Sequence, residues 1–272
     1  MCIVAIAWQL FDELPLVLLS NRDEFLQRPT EPLHQWADKP IFAGRDKQSG
    51  GTWLGIHQQQ HGDLYEQNGR WAAVLNFRDG VQASHDERSR GELVTDFLTS
   101  TLSPMDFARQ ISLQDYAGFN LIIGDPKQAV IINNRGHAPT PLYAGLHVFS
   151  NGQPEEAWFK TERLRGRIRQ EVLPLISENS DPEYWQEAAF SVMSDTTPAP
   201  IEKLPNTGID ISIEQALSSI YIQSADLSGL SNAAVPSYGT RTQSILSLRQ
   251  KAAADTNVKA EMISRECQQR QI

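Results

Sequence analysis

The sequence predicts an α+β fold built in packed layers. Three observations predict it: apolar runs of strand length fill the first half of the chain, stretches with a helical period interrupt them, and two further apolar runs follow the last of those stretches. No internal repeat, low-complexity tract or linker divides the sequence, so a single domain over 1–272 is expected. A chain of 272 residues can bury a substantial core.

Taken in order, Ile3 to Trp8 and Leu16 to Ser20 are apolar runs joined by the turn-like Asp12-Glu13-Leu14-Pro15, the pattern of a hairpin of two largely buried strands. Gly50-Gly51 introduces a strand over Thr52 to Ile56. Asn68-Gly69 reads as a turn ahead of a strand from Arg70 to Phe77, where Trp71, Ala73 and Leu75 alternate. Ser89 and Glu92 have capping-box spacing, and Leu93, Val94, Phe97 and Leu98 form one apolar helix face. A second short helix starts after Pro104, and Phe119 to Ile123, Ala129 to Ile132 and Leu146 to Phe149 return to strand. Trp158 to Leu173 is helical, with Lys160, Arg163, Arg165, Arg167 and Arg169 read as its solvated face. Tyr184 to Met193 is helical too, and a loop rich in Pro, Asn and Gly runs from Thr196 to Asp210. A helix near Ile213 to Leu217 precedes two strands, Thr240 to Leu248 and Val258 to Ser264.

The formal net charge of -9 argues against a nucleic-acid or anionic-membrane surface. No apolar run approaches the roughly 18 residues of a membrane span. No Lys or Arg precedes the apolar opening, which makes a poor secretory signal, so a cytoplasmic location is expected. Two cysteines, Cys2 and Cys267, exclude a disulfide framework and a cysteine zinc site; a bridge between them is not expected in a reducing compartment. His57-Gln58-Gln59-Gln60-His61 has the spacing of a helical metal pair but lacks a metalloprotease Glu, and reads as a polar loop. No metal site is expected.

Cys2 is the candidate for chemistry. A thiol attacks carbonyls as the thiolate and needs a proton acceptor. Removal of Met1 would leave Cys2 with an α-amino group titrating at about 7.7 to 8.0, close to the thiol's about 8.5, so no catalytic histidine is required. In an antiparallel hairpin the start of one strand lies beside the end of the next. Arg22 and Asp23 therefore fall at the edge that Cys2 occupies, where Arg22 would favour thiolate and Asp23 would hold the ammonium. The residues alone leave a second reading open, in which Cys2 is a small buried hydrophobe and Arg22-Asp23-Glu24 a polar turn. On the same footing Asn76 and Asn151 read as strand-end or turn asparagines, Arg241 as a surface arginine and Trp53 as core.

The opening Met1-Cys2, Asn21-Arg22-Asp23-Glu24-Phe25 with Arg28-Pro29 behind it, and Gly50-Gly51-Thr52-Trp53-Leu54-Gly55 resemble the NRDE-domain family, which includes the transport-and-Golgi-organisation proteins. Further matches keep their order along nearly the whole chain: Asn76, Arg90-Gly91-Glu92-Leu93-Val94, Gly118-Phe119-Asn120-Leu121, Ser150-Asn151-Gly152 with Trp158, Leu204-Pro205 with Thr207-Gly208, and Tyr238-Gly239-Thr240-Arg241-Thr242. The family resembles the N-terminal nucleophile hydrolases, which implies a four-layer αββα sandwich with the first residue at a sheet edge. Within that group it is most similar to the choloylglycine hydrolase and penicillin V acylase branch.

The resemblance implies Cys2 as nucleophile and its own amine as base, with Arg22 and Asp23 tuning and positioning it. Asn76 and nearby backbone would donate to an oxyanion, Asn151 would orient the amine, and Arg241 would close the site electrostatically. In that branch two residues separate the Arg from the Asp, whereas Arg22 and Asp23 are adjacent, so Glu24 stands as an alternative to Asp23. The implied partner is a small-molecule acyl substrate, a linear amide or thioester, cleaved without a cofactor; no residue implies bile-salt or penicillin specificity. The family is also linked to haem mobilisation and to acyl-lipid or coenzyme A metabolism, which implies a non-enzymatic alternative: haem binding and trafficking, or acyl-ligand binding. For haem the candidate ligands are Cys2 and His34, His57, His61, His85, His137 and His147, and spacing selects none of them.

Overall fold

In the computed structural model, residues 2–62, 64–81, 84–178, 181–223, 237–250 and 258–267 are described. The chain starts with β1 (Cys2–Trp8) and β2 (Leu16–Phe25), whose continuous apolar runs mark strands covered on both faces. β3 (Thr30–Gln35), β4 (Ile41–Asp46), β5 (Leu54–His61) and β6 (Leu64–Asn76) follow. Next come α1 (Arg90–Thr99), α2 (Pro104–Gln110), β7 (Phe119–Gly124), β8 (Ala129–Asn133), β9 (Thr140–Pro141) and β10 (Gly145–Phe149). A helical stretch runs through α3 (Phe159–Arg167), a π-helical turn (Ile168–Val172) and α4 (Leu173–Ser177), then α5 (Pro182–Met193) and α6 (Ile211–Ala216). β11 (Tyr238–Arg249) and β12 (Lys259–Glu266) complete the described elements.

Two antiparallel sheets stack face to face, one in the order β10-β1-β2-β11-β12 and the other β3-β4-β5-β6-β7-β8-β9. Strand alternation decides what each face buries. Val4, Ile6 and Trp8 of β1 and Leu16 and Leu18 of β2 point between the sheets, where they meet Leu54, Trp71, Ala73 and Ile122. Trp8 and Trp71 pack there with ring centroids 6.2 Å apart. The intervening Ile3, Ala5, Val17 and Leu19 face outward onto Leu164, Ile168, Trp185 and Phe190 of α3, the π-turn and α5. On the far side, Val94, Phe97 and Leu98 of α1 cover Ala72, Leu121 and Ile123 of the second sheet. Helix, sheet, sheet and helix make the four-layer αββα sandwich that the family resemblance implies.

Several local expectations are corrected. Asn68-Gly69 is not a turn: β6 runs through it as a bulge, with Gly69 at φ 71, and the register against β5 slips between Ile56 and Gln58. The hairpin reverses at Gly62 instead (φ 61), so His57 to His61 is strand rather than polar loop. Ser89 is the N-cap of α1 but makes no side-chain cap bond; its carbonyl accepts the Glu92 N–H (2.9 Å), so the capping box does not form. Lys160 is buried, not solvated. β3 and β4, missed in the sequence, lie on one margin of the second sheet, where half-exposed residues and Pro32 erase the alternation.

Cys2 and Cys267 are both free thiols. Among the described residues no helix is long and apolar enough to cross a membrane.

Candidate active site

Register places Cys2 opposite Arg22 at the end of the β1–β2 hairpin. Both side chains belong to the face between the sheets. Arg22 lies over the Trp53 indole (4.2 Å to the centroid) and donates to Thr30 Oγ1 (3.3 Å) and to Asp46 Oδ2 (3.3 Å), with Glu24 3.7 Å away. Asp23, the next residue along β2, alternates to the helix-facing side. Its Oδ1 accepts from the Thr240 hydroxyl (2.6 Å), and its backbone carbonyl accepts from Tyr238 Oη (2.7 Å). A bulge in β11 between Thr240 and Thr242 pairs Thr240 with Asp23 and Thr242 with Arg22. Arg22 and Asp23 are thus ladder residues, not members of a polar turn.

Cys2, Asp23, Trp53, Asn76, Arg90 and Tyr238 all line one cavity of about 590 Å³ at the mouth of the two sheets. Asn76 enters it from the end of β6, and among the described residues its side-chain amide makes no hydrogen bond; only its carbonyl is engaged, by Asn151 Nδ2 (2.8 Å). Asn151 is fully buried behind it. Ser150 Oγ stands 3.1 Å from both the Cys2 carbonyl and Asn151 Oδ1, and Lys160 Nζ is 3.4 Å from that same Oδ1. Asn151 therefore joins Cys2, Asn76 and Lys160 without lining the cavity. Arg241 does not line it either: from the β11 bulge its Nη1 donates to the carbonyls of Phe25 and Arg28 and to Thr30 Oγ1, bracing the segment after β2.

Burial governs the protonation of this cluster. It pushes the Cys2 thiol up, against the opposing pull of an Asp23 backbone hydrogen bond and the Arg22 charge. Burial also raises Asp23 to about 6, opposed by Lys160 and by the Thr240 hydrogen bond. Lys160 is lowered to about 8 by burial and by nearby Arg78, although Asp23 and Cys2 favour its charge. Tyr238 is held well above the ordinary phenol value by burial beside Asp23 and Cys2, so it stays a hydroxyl donor. The resulting site holds a protonated thiol that needs a base, beside a carboxylate and an ammonium that titrate within two decades of neutrality.

The sequence profile of the family described as Transport and Golgi organisation 2 matches residues 1–262. The chain belongs to the Transport and Golgi organisation 2 family. The human and bovine proteins named as Transport and Golgi organization protein 2 homologs are each 35% identical over 157 residues, covering 53% of this chain and 53% of theirs. The chain thus spans about half the length of these curated relatives. An uncharacterised Saccharomyces cerevisiae protein is 27% identical over 289 residues, covering 90% of this chain and 87% of that one. Among solved structures, a Caenorhabditis elegans N-acylethanolamine-hydrolyzing acid amidase ortholog aligns with a TM-score of 0.44 and 11% identity, covering 72% of this chain and 86% of that one.

Within this member of the Transport and Golgi organisation 2 family, the site extends beyond the residues singled out in the sequence. Lys160 was grouped with the surface arginines of its helix, yet it precedes Leu164, Ile168 and Val172 at intervals of four and so belongs to their buried stripe. That spacing was the signal for it. Arg78 follows β6 and forms a buried ion pair with Glu214 (3.0 Å) while stacking on Trp158 (4.6 Å). No sequence spacing links Arg78 to Glu214, which are brought together by the loop before α6. Trp53, read as core, is half-buried and forms cavity wall as well.

Proposed function

We propose that the protein is an N-terminal cysteine hydrolase that cleaves a linear amide or thioester through an acyl-enzyme on Cys2. The observation that carries this reading is the placement of Cys2 at a strand end, opposite Arg22 and on the floor of a cavity whose wall includes the uncommitted Asn76 amide. With Met1 removed, the Cys2 α-amine takes the thiol proton, which the buried thiol does not release unaided at neutral pH. The sulfur attacks the carbonyl carbon, and the oxyanion is met by donors such as Asn76 Nδ2, a contact worth about 3 to 4 kcal/mol in comparable sites. Collapse breaks the C–N or C–S bond of the substrate, and the ammonium returns its proton to the leaving group. Water, deprotonated by the same amine, then hydrolyses the Cys2 thioester and regenerates the thiol. In this reading Asp23 holds the amine, Asn151 fixes Asn76 through its carbonyl and Arg241 braces the wall.

Haem binding is less well supported by the same geometry. None of the six histidines lines the cavity at Cys2. Its remaining soft or phenolic donors, Cys2 and Tyr238, are both biased by burial toward the protonated forms that do not ligate iron well. The described residues that line this cavity do not fit a haem site.

The test is the intact mass of the purified protein before and after a thiol-directed electrophile, followed by amide and thioester turnover by wild type and Cys2→Ala. Loss of Met1, rapid labelling at Cys2 and loss of turnover in the variant are expected. Turnover that survives in Cys2→Ala sinks the mechanism.

A further inference from the structure

Four arginines line the cavity at Cys2, and three of them are matched by carboxylates. Arg22 and Arg28 share Asp46 at 3.3 and 2.5 Å, and Glu24 lies 3.7 Å from each. Arg88 reaches Glu92 at 2.8 Å and Asp96 at 3.3 Å. Arg90 differs. It is the first residue of α1, half-buried, and among the described residues no carboxylate lies within ion-pair distance of it. Its one hydrogen bond to a described residue runs from Nη1 to the Gly118 carbonyl (3.2 Å), which leaves most of its five N–H donors uncommitted.

Partial burial of a guanidinium without an opposite charge is costly, and burial accordingly lowers its proton affinity. Arg90 lines the same cavity as Cys2 and Glu24, and their charges act on it together with those of Arg28 and Glu87. The positive end of the α1 dipole adds to the field there. Planar guanidinium donors match the oxygens of a carboxylate or a phosphate, and an anion brought by the substrate would complete the pairing that the protein leaves open.

We propose that the acyl compound taken by this site is anionic, bearing a carboxylate or phosphate that Arg90 holds while the acyl carbon meets Cys2. This rests on the reading of Cys2 as nucleophile, and the test separates the two.

The first arm measures binding without chemistry: thermal shift and calorimetry with inorganic phosphate and with succinate, on wild type, Cys2→Ala, Arg90→Gln and Arg90→Lys. Anion binding is expected in wild type and Cys2→Ala, weakened about 10- to 100-fold in Arg90→Gln and partly kept in Arg90→Lys. Circular dichroism of each variant verifies the fold. The second arm measures kcat/KM for matched thioesters and amides: succinyl against its methyl ester, and a phosphorylated thiol leaving group against the same thiol without phosphate. Whichever anionic member is preferred identifies the anion and the side of the scissile bond that carries it. Its advantage over the neutral partner is expected to fall at least about tenfold in Arg90→Gln. Binding of neither anion by wild type, or equal binding by Arg90→Gln, overturns the anion proposal. Anion binding without turnover of any of these thioesters or of the matched amides leaves the Arg90 site standing and overturns the hydrolase reading instead.

Discussion

Replacing Lys160 by Met separates stability from function at this site. The side chain is 2% exposed and its ammonium titrates at about 8 instead of the ordinary 10.5. At about 1.4 kcal/mol for each factor of ten in proton affinity, keeping it charged in the fold costs about 3 kcal/mol at neutral pH. Methionine removes that cost. It also removes two long contacts, to Asn151 Oδ1 and the Leu217 carbonyl, both at 3.4 Å and worth about 0.5 to 1.5 kcal/mol each. Lys160→Met is therefore expected to change stability by between about 0 and 2 kcal/mol in favour of the variant at pH 7.

The pH dependence fixes the cause. Native Lys160 binds its proton more weakly than unfolded lysine, so the penalty is complete below about 8, fades from there to 10.5, and is absent above. Urea unfolding of both proteins at pH 7 and pH 10 reads the difference directly. The advantage of Met should be largely gone at pH 10, while acyl-transfer activity falls at every pH as Asn151 and Asp23 lose their cation. An equal stability difference at the two pH values, or a less stable variant at pH 7, would refute the account of Lys160 as a charge held in place at a cost.

Two further perturbations probe the same corner. Thr240→Val removes the hydroxyl that donates to Asp23 Oδ1 at 2.6 Å, a bond that favours the carboxylate; the acid limb of the pH–activity profile, expected near 6 in wild type, should move to higher pH, and an unmoved limb would count against Asp23 as the titrating group. Gly51→Ala places a methyl 2.7 Å from the backbone carbon of Gly91, where the cavity wall meets the start of α1. The atoms it meets are backbone, so a shift of one segment is required and a loss of about 1 to 3 kcal/mol in denaturant titration is expected, together with reduced turnover; a neutral result would mean that this wall is slack.

How much could be read in advance depended on whether a residue's neighbours in sequence are also its neighbours in space. The hairpin of β1 and β2 is local, so the meeting of Cys2 with Arg22 followed from two apolar runs and a turn. Asn68-Gly69 carried an equally strong local signal, but pairing across β5 absorbs the glycine into a bulge, because Trp71 and its successors are held in register by β7. The surface reading of Lys160 fails through its company: three of the four basic residues after it reach carboxylates from partly exposed positions, Arg163 and Arg167 at the buried Asp195 and Arg165 at the exposed Glu162. The bracing role of Arg241 was out of reach for another reason. It depends on a one-residue slip in a strand over 200 positions from the loop it holds, and nothing in Tyr238-Gly239-Thr240-Arg241-Thr242 marks that slip.

The extra residue at position 241 makes β11 a strand with two parities. Beyond it, even-numbered residues such as Leu246 and Leu248 serve the space between the sheets; before it, that phase is inverted, and even-numbered Thr240 lies with Asp23 on the opposite side. Substitutions at 241 leave this phase intact. Deleting the residue would restore one uniform alternation with the pairs Thr240–Asp23 and Thr242–Arg22 unchanged, and would remove the guanidinium that reaches the carbonyls of Phe25 and Arg28 and Thr30 Oγ1. The ladder itself does not need the bulge; what the bulge adds is one residue outside the alternation, and that spare position is what lets a strand arginine reach sideways to the segment after β2.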